Sequence, residues 1–548
     1  MRSTFFFTNL LICISAGVLF SSCSKKNEEG KYIPANASMA LHLNTKALTK
    51  KLPWEEIKKQ NYFQALNADT STTAFMRTLM ENPENSGIKM DENIIIFLVT
   101  DEQGGYFAVE GEIKDKAKFA AMQAEMKTGN DVKMQDGWNT NSGSRNLTAW
   151  NDKRFIALSD VPEMKTAPKL PMMEGDTTMK APPLVFRDLN TALAALTNLK
   201  ESNSMAGNDH FTTLMKTSGD IHAWINIEAF TANMPTTPQM SMINLNKLYQ
   251  GSQMAATVNF DDGKINIDTK SYASPEMTAV WKKYSGKAMD ETMVKQIPIK
   301  NIAAFFALNF NPEGVREFLK IAGLDGLINM GSGMLGFNLD EFISANKGDI
   351  LVAVGDLEKD SADKPSMKFL FSASIGNKEN FTKIISAGKK FGQQQMATSG
   401  KLPDLFYNVN DKYFTLGNSQ VYADNFIQGT NTTMPPLFSE ISGKPAGGYI
   451  NFQYIMKSLQ NRAFPDSLDK LSLEASLNTW DHLIFSGGDL DGDAAKQHAE
   501  IILVNKNENS LKQLNNYAGI MSNIINERRK NQKPYDNMDS TIVVAPTK

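Results

Sequence analysis

Four carboxylates near the end of the chain have the residue types, and part of the spacing, that a calcium ion requires. They are Asp489, Asp491, Asp493 and Glu500. Oxygen donors at alternate residues, followed by a glutamate, can wrap around a hard cation. Ala494, however, occupies a position where such a loop needs glycine. The stretch also fits the turn of a β-hairpin, as does the related stretch at residues 261–264, so we expect a hairpin and keep calcium as a weak candidate.

Other patterns for catalysis or cofactor binding are weaker. Residues 331–336 fit G-x-G-x-x-G, but a dinucleotide loop must follow a strand and open a helix, whereas this stretch is expected to follow a helix. The five histidines are scattered, which argues against zinc, and neither a nucleophile elbow nor a Walker A loop occurs. We therefore expect no cofactor and assign no catalytic residue. A hydrolase acting on glycans or peptidoglycan with dispersed carboxylates stays an alternative, because two carboxylates can meet from anywhere in a fold.

The N-terminus predicts export and lipid attachment at Cys23. Residues 1–22 combine a short basic start, an apolar run and small residues before the cysteine, which is typical of a signal peptide. The segment at residues 19–23 resembles the bacterial lipobox, in which the cysteine thiol receives a diacylglycerol before cleavage. The chain contains two cysteines, and Cys13 lies within the signal. Cys23 would thus be the sole cysteine of the mature chain, and membrane lipid would be its partner.

Residues 23–30 are polar and charged, which predicts a flexible tether behind the anchor. No aspartate follows Cys23 directly, so nothing favours retention at an inner membrane. We expect an outer membrane lipoprotein, and both the periplasmic face and the cell surface remain open.

The charge balance argues against nucleic acid as a partner. The chain has 57 basic and 60 acidic residues and no basic block. Removal of the first 22 of its 548 residues leaves enough chain for several domains. No second apolar stretch approaches the length of a membrane span, and residues 94–99 read as a buried strand.

Short motifs recur in the two halves of the chain and predict a tandem duplication. Ile33-Pro34 corresponds to Ile297-Pro298, and residues 106–109 correspond to 368–371. Residues 151–155 likewise match 410–414, and Trp224-Ile225-Asn226 matches Tyr449-Ile450-Asn451. The two repeats would span residues 31–284 and 295–525. Since the matched residues are mostly strand, turn and cap residues, they indicate a shared fold, not a shared active site.

Within each repeat the apolar patterns predict an α+β fold, with helices packed on mostly antiparallel sheets. Asp115 and Asn377 are placed to cap helices, and Asn311-Pro312 should start another one that Gly323 closes. Leucines at residues 189, 193 and 196 mark a further helix, and apolar residues from Leu511 to Ile524 mark the last. The polar residues 527–548 predict a disordered tail.

A lipobox, an Ile-Pro start followed by small and apolar residues, and this length together resemble a family of uncharacterised Bacteroidetes lipoproteins, a domain-of-unknown-function family. The resemblance covers nearly the whole mature chain and implies a cell-envelope location without an assigned activity. We therefore expect a non-enzymatic binding or assembly module with two similar lobes. Its partners would be a glycan or an envelope protein, and the groove between the lobes is the place to look for a ligand.

Overall fold

Alternating apolar residues build the strands of one antiparallel sheet in the computed structural model. The model describes residues 29–68, 74–101, 104–126, 132–161, 186–232, 244–326, 336–359, 365–399, 405–460 and 466–531. Its strands are Met39–Leu43 (β1), Ile94–Asp101 (β2), Gly104–Glu112 (β3), Lys133–Gln135 (β4), Trp138–Ser142 (β5), Asn146–Trp150 (β6), Arg154–Asp160 (β7), Ile221–Asn226 (β8), Gln253–Asp261 (β9), Lys264–Tyr272 (β10), Ile302–Asn309 (β11), Asn346–Lys359 (β12), Pro365–Ile375 (β13), Phe406–Val409 (β14), Tyr413–Gly417 (β15), Ala446–Asn451 (β16), Trp480–Asp491 (β17) and Ala494–Leu503 (β18). The predicted buried strand at residues 94–99 is therefore confirmed as the start of β2.

Helices lie between the strands and cover the sheet. They are Thr45–Lys51 (α1), Trp54–Lys58 (α2), Asn61–Ala68 (α3), Ala74–Glu81 (α4), Lys116–Glu125 (α5), Leu189–Thr197 (α6), Asp209–Met215 (α7), Ile227–Ala232 (α8), Leu245–Tyr249 (α9), Pro275–Tyr284 (α10), Glu291–Lys295 (α11), Pro312–Ile321 (α12), Leu339–Ala345 (α13), Lys378–Ser399 (α14), Gln420–Gln428 (α15), Phe452–Gln460 (α16), Ser467–Thr479 (α17) and Ser510–Asn531 (α18). The predicted α+β class with a mostly antiparallel sheet is thus confirmed.

The 18 strands form a continuous sheet in which neighbouring strands are antiparallel. Its order is β4-β5-β6-β7-β3-β2-β1-β8-β9-β10-β18-β17-β16-β11-β12-β13-β15-β14. The last strand of the first half, β10, pairs with the last strand of the chain, β18. Outward from that pair, the order β9-β8-β1-β2-β3-β7 on one side matches β17-β16-β11-β12-β13-β15 on the other.

The two faces of the sheet have different character, because side chains alternate along each strand. Face A carries Ala40, Phe97 and Ala108 in the first half, and these belong to a core under α6 and α7. In the second half it carries Phe305, which packs in a second core with residues of α11 and α15. Face B carries Leu43 and its neighbours in the first half and Leu308 in the second.

Helix ends follow the predicted caps. The side chain of Asp115 accepts a hydrogen bond from the Lys118 amide, and that of Asn377 accepts one from the Asn380 amide. Asn311 caps α12 with proline in its first turn, and Gly323 follows the helix in the left-handed conformation with φ +71°. These local predictions are confirmed because each cap satisfies a backbone amide within a few residues of it.

The last helix extends further than predicted. Helix α18 continues to Asn531, past Glu527, where the sequence predicts a disordered tail. Arg528 makes an ion pair with Asp469 of α17, and basic residues in the last turn suit the negative end of the helix dipole. In the part of the chain that the structure describes, no helix combines the length and apolar character that crossing a membrane requires.

Candidate functional site

The pair β10–β18 joins the two halves, and its neighbours present opposite chemistry on the two faces. On face B, Leu490 of β17 lies opposite Ala495 of β18. On face A, Asp489 lies opposite Lys496. Because adjacent residues point to opposite sides of a strand, the junction has an apolar side and a charged side.

Helix α10 forms one wall of a groove on the apolar side. Met277, Val280, Trp281 and Tyr284 recur at helical spacing and line the groove. Ser274 starts the helix by accepting a hydrogen bond from the Met277 amide, and Pro275 occupies its first turn. The local sequence therefore fixes which side of α10 faces the sheet.

Helix α12 forms the opposite wall. Val315 and Phe318 line the groove, and Phe318 remains 39% exposed. The two helices approach closely at Gly314, where a Cβ atom would lie 2.8 Å from Cβ of Tyr284. Although α12 is strongly amphipathic, each of its ten residues is at least partly exposed. Its apolar side is therefore not sealed against the sheet.

The floor of the groove consists of strand residues from the second half. They are Leu308 of β11, Ala446 of β16, Leu490 of β17 and Ala495 of β18. The cavity has a volume of about 380 Å³, which lies in the range of small-molecule sites. We call it the junction groove. Its lining is dominated by apolar side chains, so it suits an apolar ligand.

The charged side of the junction is a cleft of about 340 Å³ on face A. Beside it, two ion pairs join β10 to the second half, Lys264–Glu500 at 2.7 Å and Lys270–Asp491 at 3.0 Å. Within it, Nδ1 of His498 lies 2.8 Å from Oδ1 of Asp268. Lys444 reaches Asp489 at 2.6 Å. Charges of both signs thus neutralise one another along the strand pair.

The calcium candidates all lie at this junction, where Asp489, Asp491 and Glu500 each pair with a lysine. Residues 489–493 form the β17–β18 hairpin that the sequence predicts, with Gly492 at φ +67° in its two-residue turn. Hydrogen bonds from Lys496 and Lys270 lower the pKa of Asp491, and Asp493 lies 3.6 Å from His210. Among the described residues, no group of three or more histidine, cysteine, aspartate or glutamate side chains could hold a metal ion. Calcium binding stays a prediction, whose signature would be a melting shift that Asp491→Ala abolishes.

A second polar cluster lies inside the first half, on face A. His42 of β1 and His222 of β8 are directly opposite each other, and their Nδ1 atoms are 3.0 Å apart. Burial lowers the pKa of His222 to about 4, and the neighbouring His42 adds to this effect. Glu110 of β3 lies in the same row across the sheet and is 3% exposed. Burial raises its pKa to about 7.

A carboxylate with a raised pKa beside a second carboxylate, here Glu29, is a pattern found in acid–base catalysis. No described residue donates a hydrogen bond to either oxygen of Glu110, and both oxygens are closed to solvent. A hydrolase would need its carboxylates in an open cleft. The cluster therefore does not have the geometry of the hydrolase alternative.

The remaining predicted site residues are placed as follows. Cys23 and most of the glycine-rich stretch at residues 331–336 lie outside the described residues. Trp224 is buried in the core and contacts Phe211 edge to face. Trp281 lines the junction groove.

The sequence predicts a groove between two lobes but does not identify the residues that line the junction groove, and it gives no sign of the histidine pair. The stripe at residues 277, 280, 281 and 284 was a visible signal for one wall, but nothing local shows that it faces β16–β18. The histidines lie 180 residues apart, so only the strand pairing brings them together.

Comparison with known protein families matches a family model to residues 30–428 of this chain. The chain belongs to the family described as Domain of unknown function (DUF4836). The DUF4836 match confirms the predicted membership of a family without an assigned function. It ends with α15, whereas the second half of the sheet also includes β16, β17 and β18.

No curated protein matches the chain. Two solved structures, crystal forms IV and I of TP0453, are similar to parts of it at 9% and 10% identity. The first covers 47% of this chain and 85% of the TP0453 chain, with a TM-score of 0.26. The second covers 45% and 80%, with a TM-score of 0.25. Similarities this low support no conclusion about this member of the DUF4836 family.

Proposed function

We propose that this protein is a membrane-anchored binding module of the cell envelope that takes the apolar chain of a lipid into the junction groove. The observation that carries the proposal is the groove itself, an apolar cavity of about 380 Å³ between α10, α12 and the strands where the two halves meet. Burial of apolar surface contributes roughly 25 cal/mol per Å², so a long acyl chain gains affinity without polar contacts.

The walls of the groove also suit an occupant that must enter and leave. Phe318, which lines the groove, is 39% exposed, and α12 has no fully buried residue. A helix held by few buried contacts opens at low cost in free energy. An acyl chain could therefore enter between α10 and α12 while the sheet beneath them stays intact.

The test uses palmitic acid and a brominated analogue, which quenches tryptophan fluorescence on contact. We expect saturable binding of both by the full chain, with quenching of Trp281. Trp281→Phe should lose that part of the quenching and still bind in calorimetry. Ala495→Phe places a ring in the floor of the groove and should weaken binding at least tenfold.

Val504→Phe is the matched control, because it adds the same ring at an exposed residue just beyond β18. It should bind like the original chain. If palmitic acid does not bind saturably, or if Ala495→Phe binds as tightly as Val504→Phe, the groove is not a lipid site.

The anchor is the second part of the proposal. The lipobox-like segment supports lipid attachment at Cys23 and an outer membrane location, and a polar tether follows the cysteine. Labelling cells with a tagged fatty acid should mark the protein, and Cys23→Ala should remove the label. Protease treatment of intact cells, with a periplasmic protein as control, would then decide between the cell surface and the periplasmic face.

We further propose that the two halves arose by duplication. This is supported by the register of two equivalent strand pairs, β1–β8 and β11–β16. Trp224 pairs with Ala40 in the first half, and Tyr449 pairs with Phe305 in the second. Equivalent ion pairs also recur, Lys116–Asp152 and Lys378–Asp411.

A further inference from the structure

His42 and His222 form a buried pair whose hydrogen positions are fixed by their surroundings. The residues are 4% and 3% exposed. Nε2 of His222 lies 3.1 Å from the backbone carbonyl of Thr217, which can only accept, so this nitrogen carries a hydrogen. Nδ1 of neutral His222 is then an acceptor, and the hydrogen in the 3.0 Å contact belongs to Nδ1 of His42.

This assignment leaves Nε2 of neutral His42 without a hydrogen. It faces Oε1 of Glu29 at 3.7 Å, so two acceptors lie opposite each other. No described residue satisfies this nitrogen. Protonation of His42 on Nε2 would replace that contact by an imidazolium–carboxylate pair in a partly buried site.

Glu29 belongs to the segment that enters the domain. Its Oε1 also accepts a hydrogen bond of 2.7 Å from the side-chain amide of Asn93. Just after it, the carbonyl of Gly30 accepts a bond from the Ala206 amide, and that of Ile33 accepts one from the Met205 amide. A charged pair between protonated His42 and Glu29 would therefore add to the bonds that hold this segment on the first half.

Charged groups from every neighbouring element face the cluster. They are Glu110 from β3, Arg154 from β7, and Asp220, which precedes β8 and is paired with Lys51 of α1. Burial tends to raise the pKa of Glu29, but the imidazole of His42 and the amide of Asn93 outweigh this and lower it. Burial lowers the pKa of His222 to about 4 and so disfavours its charged form. Nε2 of His42 is the ring nitrogen that faces the carboxylate of Glu29, so a proton placed there gains a charged partner.

The fold does not require these polar residues. At the register position of the histidine pair, the second half has Ala307 opposite Gly447. Met293, which takes the place of Glu29 when Ile33 is aligned with Ile297, is 2% exposed in an apolar core. The polar cluster therefore occurs only in the half that the N-terminal segment enters.

We propose that Glu29, His42 and His222 form a proton-controlled latch on residues 29–37, the segment that enters the sheet. With His42 protonated on Nε2, the carboxylate of Glu29 is held and the segment is closed on the domain. With both imidazoles neutral, Nε2 of His42 and Oε1 of Glu29 are two acceptors that repel each other, and the segment is released. Release of this segment would lengthen the tether between the sheet and a lipid on Cys23, and this consequence rests on the proposed anchor. The protonation of the latch does not depend on the anchor.

Hydrogen exchange of the full chain tests the latch. The amides of Ile33, Ala35 and Ala37 are hydrogen-bonded within or next to the segment. After correction for intrinsic rates, we expect their protection to be about tenfold higher at pH 5.5 than at pH 8, because a hydrogen bond to a charged group is gained. Residues 297–301 of the second half serve as the internal reference, whose protection should stay constant.

Two changes at Glu29 should act in opposite directions. In Glu29→Gln the side-chain amide can donate to neutral His42, so protection should be high at both pH values. In Glu29→Ala it should be low at both. His498→Gln removes an exposed histidine outside the cluster and should leave the pH response unchanged.

Constant protection of the original chain between the two pH values would overturn the proposal. So would a pH response that persists in Glu29→Gln. Because Glu29 lies at the surface end of the cluster, with 38% of its side chain exposed, these variants keep the buried residues intact.

Discussion

Replacing Glu110 with glutamine is expected to raise the free energy of unfolding by about 3 kcal/mol at pH 8, with no gain at pH 4. Burial raises the pKa of Glu110 from 4.5 to about 7 in the folded protein. In the unfolded chain the carboxyl loses its proton near pH 4.5. As pH rises from 4.5 to 7 the unfolded state therefore binds fewer protons than the folded state, and stability falls. Glutamine does not titrate, so the variant escapes this loss.

The measurement is denaturant unfolding of both proteins at several pH values between 4 and 8. Glu112→Gln is the control, because Glu112 lies on the same strand with 38% of its side chain exposed and has partners in Lys89 and Arg154. It should give no comparable gain at pH 8. Equal stability of the original chain and Glu110→Gln across the range would mean that Glu110 is solvated or paired in solution.

Replacing Trp224 with alanine is expected to lower the free energy of unfolding by about 3 to 5 kcal/mol, the second large effect. Trp224 is 1% exposed and contacts Phe211 with ring centroids 6.0 Å apart. Alanine would leave a cavity between the sheet and α7, which a rigid strand cannot close. Thermal and denaturant unfolding would measure the loss.

The matched control is Trp224→Phe, which keeps an aromatic ring in the core. No described residue accepts a hydrogen bond from the indole nitrogen of Trp224, so phenylalanine loses volume but no polar partner. We expect a clearly smaller loss than for alanine. A similar loss in both variants would show that the indole makes a hydrogen bond that matters more than its packing.

Features set by nearby residues could be predicted from the sequence. The caps at Asp115 and Asn311, the hairpin at residues 489–493 and the strand at residues 94–99 depend on neighbours within a few positions. Such features need only local hydrogen bonds and the alternation of apolar residues.

Features that depend on distant pairings could not be predicted. His42 and His222 lie opposite each other because of the register between β1 and β8. The junction groove exists because β10 pairs with β18. Apolar alternation says that a strand has a buried face but not which strand lies beside it. The sequence predicts that α18 ends too early for a similar reason, since Arg528 forms an ion pair with Asp469 on another helix.

The pairing of β10 with β18 also places a late step in the folding of the sheet, because β18 is the last strand of the chain. Asp268 and His498 meet across that pair although 230 residues separate them, and Gln60 bonds to Asn516 across 456 residues. Contacts between such distant residues form slowly, and until then β10 presents an unpaired edge that other chains can join. A chain shortened before residue 494 would therefore expose the middle of its sheet, and aggregation is the expected result.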